Sequence, residues 1–473
     1  MNNPKTDIVL VNPPSSMKEE FGALKSAGGI RPPLNLLNIG AILLKEGFSV
    51  KLFDAAAKGL GVSLLVEEII KTNCDIVGIT SMTANIDISS QVALQLKKIN
   101  PNITVIIGGA HVSAMKERVF EEFPSFDIGV YGEGDRTVVE LMRNLKEEKD
   151  SSRLKAIDGI LYRENGSIIR TSPRQLIEDL DSLPMPAWNL LEDYATIYSP
   201  VVSRKSGGKS AYIITSRGCP FKCTFCFSVS GSKPRFFSLN YIFKLIDWHV
   251  ENDQITDLTV FDENLLFSRK RINEFCDRLI EGNYNLTWSC SARANCVDRM
   301  ILEKMYKAGC RSIFFGIESG NAQILARYKK GLNHELIESA VKDAKAAKLK
   351  VTGSFIIGGP METVKTIRDT IRFALKLPLD YATPFYYTPL PGTADYPDIS
   401  KFGEADLSYS SARMSKPNFV PNEMSEKQVV RLYKEFLLRF YARPSKLSML
   451  MKEMGVSKFL RSGISFVGSL LSN

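Results

Sequence analysis

Long apolar runs are the plainest lack in this 473-residue sequence. No stretch reaches 18 uncharged apolar residues, and the most apolar segments, Ile76 to Thr80 and Thr104 to Gly108, are only strand-length, which excludes a membrane-crossing helix. The start also lacks a basic region followed by an apolar stretch and a cleavage site, running straight from Met-Asn-Asn-Pro-Lys-Thr-Asp into Ile8-Val9-Leu10-Val11. A cytoplasmic protein is expected. Disulfide patterning is absent: of eight cysteines, Cys74, Cys276, Cys290, Cys296 and Cys310 are scattered singly and three crowd into eight residues, unlike the framework of a secreted domain. Charge does not compel nucleic-acid binding, because +9 is moderate for this length and a net +5 falls among residues 439–473. Histidine is scarce, and none precedes His111.

What is present is the composition of a globular chain, 44% hydrophobic and 24% charged, long enough for two or three cores. From Asp7 to about Leu145, strand-like segments (Ile8 to Asn12, Val50 to Asp54, Ile76 to Ser81, Ile103 to Gly108, Ile128 to Gly132) alternate with amphipathic helices (Leu34 to Lys45, Leu64 to Lys71, Ile86 to Lys98, Val112 to Glu122, Arg136 to Lys146). That alternation predicts a doubly wound parallel sheet. Asn165-Gly166 between Gly159 to Tyr162 and Ile168-Ile169 predicts a hairpin. Leu183-Pro184-Met185-Pro186-Ala187 predicts a linker, since closely spaced prolines interrupt both ladders and helices. Six further βα units then follow, with strands near Ile213 to Thr215, Leu258 to Phe261, Thr287 to Cys290, Ser312 to Phe315, Val351 to Ile357 and Pro384 to Thr388. They predict a partial TIM-type barrel with its reactive groups at the carboxyl ends of the strands. The expected divisions are residues 1–150, 151–205, 206–400 and 401–473.

Immediately after the first barrel strand, Thr215-Ser216-Arg217-Gly218-Cys219-Pro220-Phe221-Lys222-Cys223-Thr224-Phe225-Cys226 sets three thiols at C-x3-C-x2-C spacing. Iron–sulfur clusters are commonly held by four thiolates, so three leave one iron free for a substrate or cosubstrate. Structural zinc, the rival, wants four closed ligands with a second pair nearby, and the nearest histidine, His249, is far along the next helix. The loop, with Phe225 before its last cysteine, resembles the cluster loop of the radical S-adenosylmethionine superfamily. That resemblance implies a [4Fe-4S] cluster on Cys219, Cys223 and Cys226, and S-adenosylmethionine chelated by the open iron and cleaved to a 5′-deoxyadenosyl radical. It further implies contacts to S-adenosylmethionine from Phe225, from Asp262 and Glu263 in Phe261-Asp262-Glu263-Asn264, and from Ser291 and Arg293 in Ser291-Ala292-Arg293. Glu318 in Gly316-Ile317-Glu318-Ser319-Gly320, Ile356 before Gly358-Gly359, and Tyr387 before Thr388-Pro389 complete the implied set. For each carboxylate the alternative is a structural ion pair.

A doubly wound domain ahead of such a barrel resembles the cobalamin-binding domain of cobalamin-dependent radical S-adenosylmethionine enzymes. The implied fold is α/β: a Rossmann-like cobalamin-binding domain, a partial (β/α)6 radical barrel and a C-terminal helical extension. The comparison rests on Asn12-Pro13-Pro14, Ser81-Met82-Thr83, Gly108-Gly109-Ala110-His111 and Gly132-Glu133-Gly134 at successive strand ends, where doubly wound folds bind ligands. It implies Pro13, Ser81, Thr83, Gly108, Gly109, His111, Gly132 and Glu133 as cobalamin contacts, although a glycine helix cap has the same signature. One departure is the missing Asp-x-His-x-x-Gly loop that supplies an axial histidine in cobalamin mutases.

The family mechanism implies methyl transfer to an unactivated carbon of a small-molecule or lipid-like substrate, with a one-electron reductant such as flavodoxin or ferredoxin. A tetrapyrrole-type oxidative cyclase and a tRNA-modifying radical enzyme are the alternatives, and a non-catalytic zinc or nucleic-acid module is a third. No aromatic-basic interleaving points to nucleic acid. In the tail, Leu447, Leu450, Met451 and Met454, then Val456, Phe459, Leu460, Ile464 and Val467, recur at helical spacing. This pattern suits a helix packed on the barrel or an interfacial helix giving peripheral membrane association.

Overall fold

A computed structural model describes residues 5–15, 30–147, 151–192, 194–198 and 208–455. Ile8–Asn12 (β1), Leu34–Lys45 (α1), Val50–Asp54 (β2), Val62–Ile70 (α2), Ile76–Thr80 (β3), Ile86–Ile99 (α3), Thr104–Gly108 (β4), Ala110–Met115 (α4), Glu117–Glu122 (α5), Ile128–Val130 (β5) and Asp135–Glu147 (α6) build the first layer system. Strands such as Ile-Val-Leu-Val are apolar on both faces because helices cover both faces of a parallel sheet. Leu36, Leu37, Val138 and Met142 of α1 and α6 lie in one core, and Leu65, Ile69, Val92 and Leu96 of α2 and α3 in the other.

The sheet order is β2-β1-β3-β4-β5, extended by Ile160–Glu164 (β6) and Ser167–Arg170 (β7). The first five strands run parallel, whereas the hairpin adds antiparallel to β5. The hairpin around Asn165-Gly166 is therefore an edge of the N-terminal sheet. The strand order reverses at β1 and β3, so the ligand crevice of such folds falls at their carboxyl ends. One helix departs from the expected Val112 to Glu122: it is split at Lys116, whose φ is +51°. The break lets Phe120 close over Gly129, where a β-carbon would lie 2.7 Å from its ring.

The segment expected as a linker, Leu183 to Ala187, is half-buried with Met185 exposed, and the chain is tied down where it ends. Ala187 donates its N–H to Leu37 O at 3.1 Å, Trp188 is 4% exposed and packs on His249 at 4.6 Å, and Tyr198 donates to Asp54 at 2.7 Å. Aromatic pairs of this kind each contribute about 0.5–1.5 kcal/mol beyond area, and one continuous core spans both halves.

The second sheet is formed by Ser210–Ile213 (β8), Asp257–Val260 (β11), Thr287–Ala292 (β12), Cys310–Glu318 (β13), Lys350–Ile357 (β14) and Tyr381–Tyr386 (β15), with Ser216–Arg217 (β9) and Arg235–Phe236 (β10) forming a small ladder beside it. All six are parallel and run in chain order from β8 to β15, an open partial barrel. Crossovers are Leu239–Asp253 (α7), Arg269–Glu281 (α8), Arg299–Lys307 (α9), Ala322–Arg327 (α10), His334–Ala346 (α11) and Val364–Lys376 (α12). Gly403–Ala405 (β16) and Phe419–Pro421 (β17) then pair as a small ribbon absent from the sequence expectations. Glu426–Tyr441 (α13) closes the β15 edge, stacking Tyr433 on Tyr386 at 4.1 Å.

Pro444–Met454 (α14) lies on the barrel rim: Arg443 donates to Leu375 O at 3.2 Å and Glu453 pairs with Lys350 at 2.5 Å. The later apolar positions Val456, Phe459, Leu460, Ile464 and Val467 lie outside the described residues. No helix among the described residues is long and apolar enough to cross a membrane.

Candidate functional site

The three-cysteine loop springs from the β9–β10 ladder, in which Ser216 pairs with Phe236 and Arg217 with Arg235. Gly218 has φ +91°, and a β-carbon there would lie 2.4 Å from Lys233 O, so only glycine lets the chain turn this tightly. The turn is fixed by Cys219 N–H to Gly231 O at 3.1 Å, and the far side of the loop by Thr224 N–H to Tyr328 O and Asp395 N–H to Thr224 O, both 3.1 Å. Phe225 meets Tyr328 edge-on at 5.2 Å.

These residues fit a cluster. Three thiols, Cys219, Cys223 and Cys226, share one loop, a donor set that suits an iron–sulfur cluster with one open iron. Desolvation by the surrounding loops pushes the Cys226 thiol up to about 11, so ligation itself must remove its proton. Arg293, held 3.6 Å over the Phe221 ring and donating to Lys330 O, directs a further N–H at Cys223 Sγ at 3.5 Å. A donor aimed at a cluster sulfur is a lever on potential.

Asp262 requires a correction. Expected at the methionyl ammonium, it is 6% exposed and accepts from Thr215 N–H at 2.6 Å, Thr215 Oγ1 at 2.5 Å and Ser216 Oγ at 2.7 Å. Both oxygens are spent on the root of the cluster loop, and burial still raises its pKa. Glu263 is free of that network and accepts only from Ser228 at 2.6 Å. Ser291 is half-buried near the end of β12.

Glu318 stands at φ +67°, a conformation costly for a residue with a β-carbon, and pairs with buried Lys330 at 2.7 Å and with Ser354 at 3.4 Å. Lys330 in turn lies 5.8 Å over the Phe225 ring, so this ion pair backs the cluster loop. Ile356 and Tyr387 belong to a small apolar cluster with Tyr328 against which Phe225 packs, and Tyr387 donates to Asp395 at 3.1 Å.

At the N-terminal sheet's edge, Thr83, Gly108, Gly109 and Gly132 are partly open. Gly109 has φ +105°, and a β-carbon would come within 2.5 Å of Ser81 O; this edge of bare backbone suits a nucleotide-like tail. Pro13 and Ser81 are closed over, with Ser81 Oγ donating to Met82 O at 3.1 Å. His111 also departs from expectation. It is 1% exposed, bonded through Nδ1 to Thr83 at 3.2 Å and covered by Tyr409 at 4.6 Å, so it reaches no corrin while that ring is in place. Burial depresses its pKa to about 4, leaving a neutral imidazole whose Nε2 has no partner.

Glu133 is the second correction in this set. Its carboxylate receives Arg235 at 2.7 and 3.0 Å and Ile177 N–H at 3.1 Å, so both oxygens are engaged within the protein. Next to it Asp135 holds Arg217 bidentately at 2.9 and 3.0 Å. The loop that follows β5 is thus bonded to the ladder that carries the cysteines. Arg217, Arg235, Asp135, Lys330 and Tyr409 were not singled out in the sequence; Arg217 two residues before Cys219 and Asp135 directly after Gly132-Glu133-Gly134 were the available signals.

Two family models fit this arrangement: the B12 binding domain matches residues 22–142 and the radical SAM superfamily matches residues 213–374. An uncharacterized methyltransferase, PH0819, from Pyrococcus horikoshii is 33% identical over 445 residues, 93% of each chain. The chain belongs to the cobalamin-binding radical S-adenosylmethionine family. Within this family, the anaerobic magnesium-protoporphyrin IX monomethyl ester cyclase of Rubrivivax gelatinosus is 28% identical over 365 residues, 76% of this chain and 65% of the cyclase. The radical S-adenosylmethionine methyltransferase TsrM from Kitasatospora setae, solved with cobalamin and a [4Fe-4S] cluster, shares the fold with a TM-score of 0.71 at 15% identity, over 98% of this chain and 99% of that one.

Proposed function

We propose that this chain transfers a methyl group to an unactivated carbon of a small molecule or lipid-like substrate. The carrying observation is the bond between the two halves: Asp135 and Glu133 of the B12-binding part grip Arg217 and Arg235 beside the cysteines. When bound, the cluster with S-adenosylmethionine supplies hydrogen abstraction and cobalamin supplies the methyl group. Cys219, Cys223 and Cys226 hold the cluster; Glu263, Ser291, Arg293, Glu318, Ile356 and Tyr387 are the residues we assign around S-adenosylmethionine, and Thr83, Gly108, Gly109 and Gly132 those around cobalamin. A radical enzyme of this kind needs a one-electron reductant, for which flavodoxin or ferredoxin is proposed. The residue divisions 1–150, 151–205, 206–400 and 401–473 remain our proposed boundaries.

The cyclase likeness favours one rival outcome, oxidative cyclisation on the same architecture. Anaerobically reconstituted protein given S-adenosylmethionine with a deuterated methyl group separates the two: methyl transfer puts the label in the corrin and then in product, and cyclisation leaves the product unlabelled. A preparation with cluster absorbance but no corrin bands overturns the proposal. Cys223→Ala should lose cluster and S-adenosylmethionine cleavage together, and retained cleavage refutes the cluster assignment.

A further inference from the structure

The β9–β10 ladder contains an electrostatic conflict that only the other domain resolves. Arg217 and Arg235 are register partners on adjacent antiparallel strands, and like charges directly opposite one another destabilise a ladder. Their side chains are 11% and 2% exposed, so water does little to screen them. No carboxylate within the ladder or the cysteine loop answers them. The two that do, Glu133 and Asp135, stand 102 and 82 residues away, in the loop after β5 and at the first residue of α6, and are themselves 4% and 7% exposed. Arg217 spans both acids, with Asp135 at 2.9 Å and Glu133 at 3.4 Å, while Arg235 is completed by Ile177 O at 2.6 Å and Ser230 O at 2.9 Å. Bidentate guanidinium–carboxylate pairs fix orientation as well as distance.

We propose that Glu133 and Asp135 are positioning residues for the cluster loop: the cysteines take their working place only when the B12-binding domain's two carboxylates neutralise the facing arginines. The proposal rests on the two-cofactor reading above. The two acids act through Arg217, which is joined through Gly218 to Cys219, and through Arg235, which closes the same hairpin. Losing one carboxylate frees the hairpin to shift away from its neighbour arginine, and with it the three sulfurs relative to the edge formed by Gly108 and Gly109.

Two measurements on the full-length chain test this. Hydrogen–deuterium exchange needs no cofactor: in Asp135→Asn, amides of residues 216–236 should exchange at least tenfold faster than in wild type, with β12 to β14 unchanged, and Asp135→Glu should recover most of the protection. In protein reconstituted with cluster and cobalamin, pulsed electron paramagnetic resonance between the reduced cluster and Co(II) should give a single narrow distance in wild type and a broadened or displaced one in Asp135→Asn at equal iron and corrin content. Exchange within twofold of wild type overturns the proposal, as does uniform acceleration through both domains, which would make the pairs mere adhesive. If no corrin binds, the proposed function fails while the exchange result still decides the positioning role. Should Glu133→Gln fail to fold, Asp135→Asn leaves Glu133 paired with both arginines and keeps the test intact.

Discussion

Replacing Glu362 by Gln should remove a distinct part of the alkaline loss of stability of this protein. Glu362 follows the Gly358-Gly359 turn at the end of β14 and is fully buried. Its Oε2 accepts Gly359 N–H at 2.9 Å, while Oε1 has no partner. Burial, only partly opposed by the Gly359 and Gly358 N–H groups, raises its pKa from 4.5 to about 8. A raised carboxyl pKa means that the folded protein keeps a proton which the unfolded chain has lost. Its contribution is therefore full below pH 4.5 and is lost as pH rises through about 8. At about 1.4 kcal/mol per pKa unit, the loss between pH 6 and pH 8.5 comes to about 2–3 kcal/mol, which in a domain of about 200 residues lowers the melting temperature by roughly 5–10 °C. Glutamine keeps the acceptor for Gly359 and cannot ionise. Anaerobic thermal unfolding followed by circular dichroism at both pH values should show a drop in wild type that is smaller by about that amount in Glu362→Gln. Parallel pH profiles for the two proteins would refute the reasoning.

Other outcomes follow from the same kind of argument. Asp262→Asn removes the charge that gathers three donors at the root of the cysteine loop; at about 1.5–3 kcal/mol for a hydrogen bond to a charged group, it should lower iron bound per chain after reconstitution, and full iron content would count against the anchor. Gly109→Ala forces a β-carbon to within 2.5 Å of Ser81 O at φ +105° and should destabilise the N-terminal domain by roughly 3 kcal/mol, read as a lower denaturation midpoint. His111, depressed by burial from 6.5 to about 4, contributes stability fully above pH 6.5 and loses it as pH falls toward 4. Tyr409→Ala uncovers the ring, so its NMR titration midpoint should rise toward 6.5, and an unmoved midpoint would show that Tyr409 is not the cover.

Much of the fold was legible because its signals are local. Strands of a parallel sheet buried on both faces read as short β-branched runs, and β1, α1 and β2 fall at the expected residues. The cysteine loop was legible for the same reason, since its three thiols are close in sequence. What escaped depends on distant partners. Asp262 and Glu133 looked like ligand carboxylates, because a strand-end acid has the same appearance whether it faces a cofactor or the backbone of another loop. His111 looked accessible until Tyr409, nearly three hundred residues later, was folded over it. Lys116 gives no compositional sign of ending a helix, and the β16–β17 ribbon is three residues per strand, too short for any period to register.

The facing arginines also bear on how the chain is made. Synthesis runs from the amino terminus, so Glu133 and Asp135 have already been made when Arg217 emerges 82 residues after Asp135. The opposite domain order would have exposed an unmatched pair of cations beside three reactive thiols during every round of translation. A barrel excised at Ser210 for separate study would inherit that fault, and would report on a cysteine loop deprived of the acids that shape it.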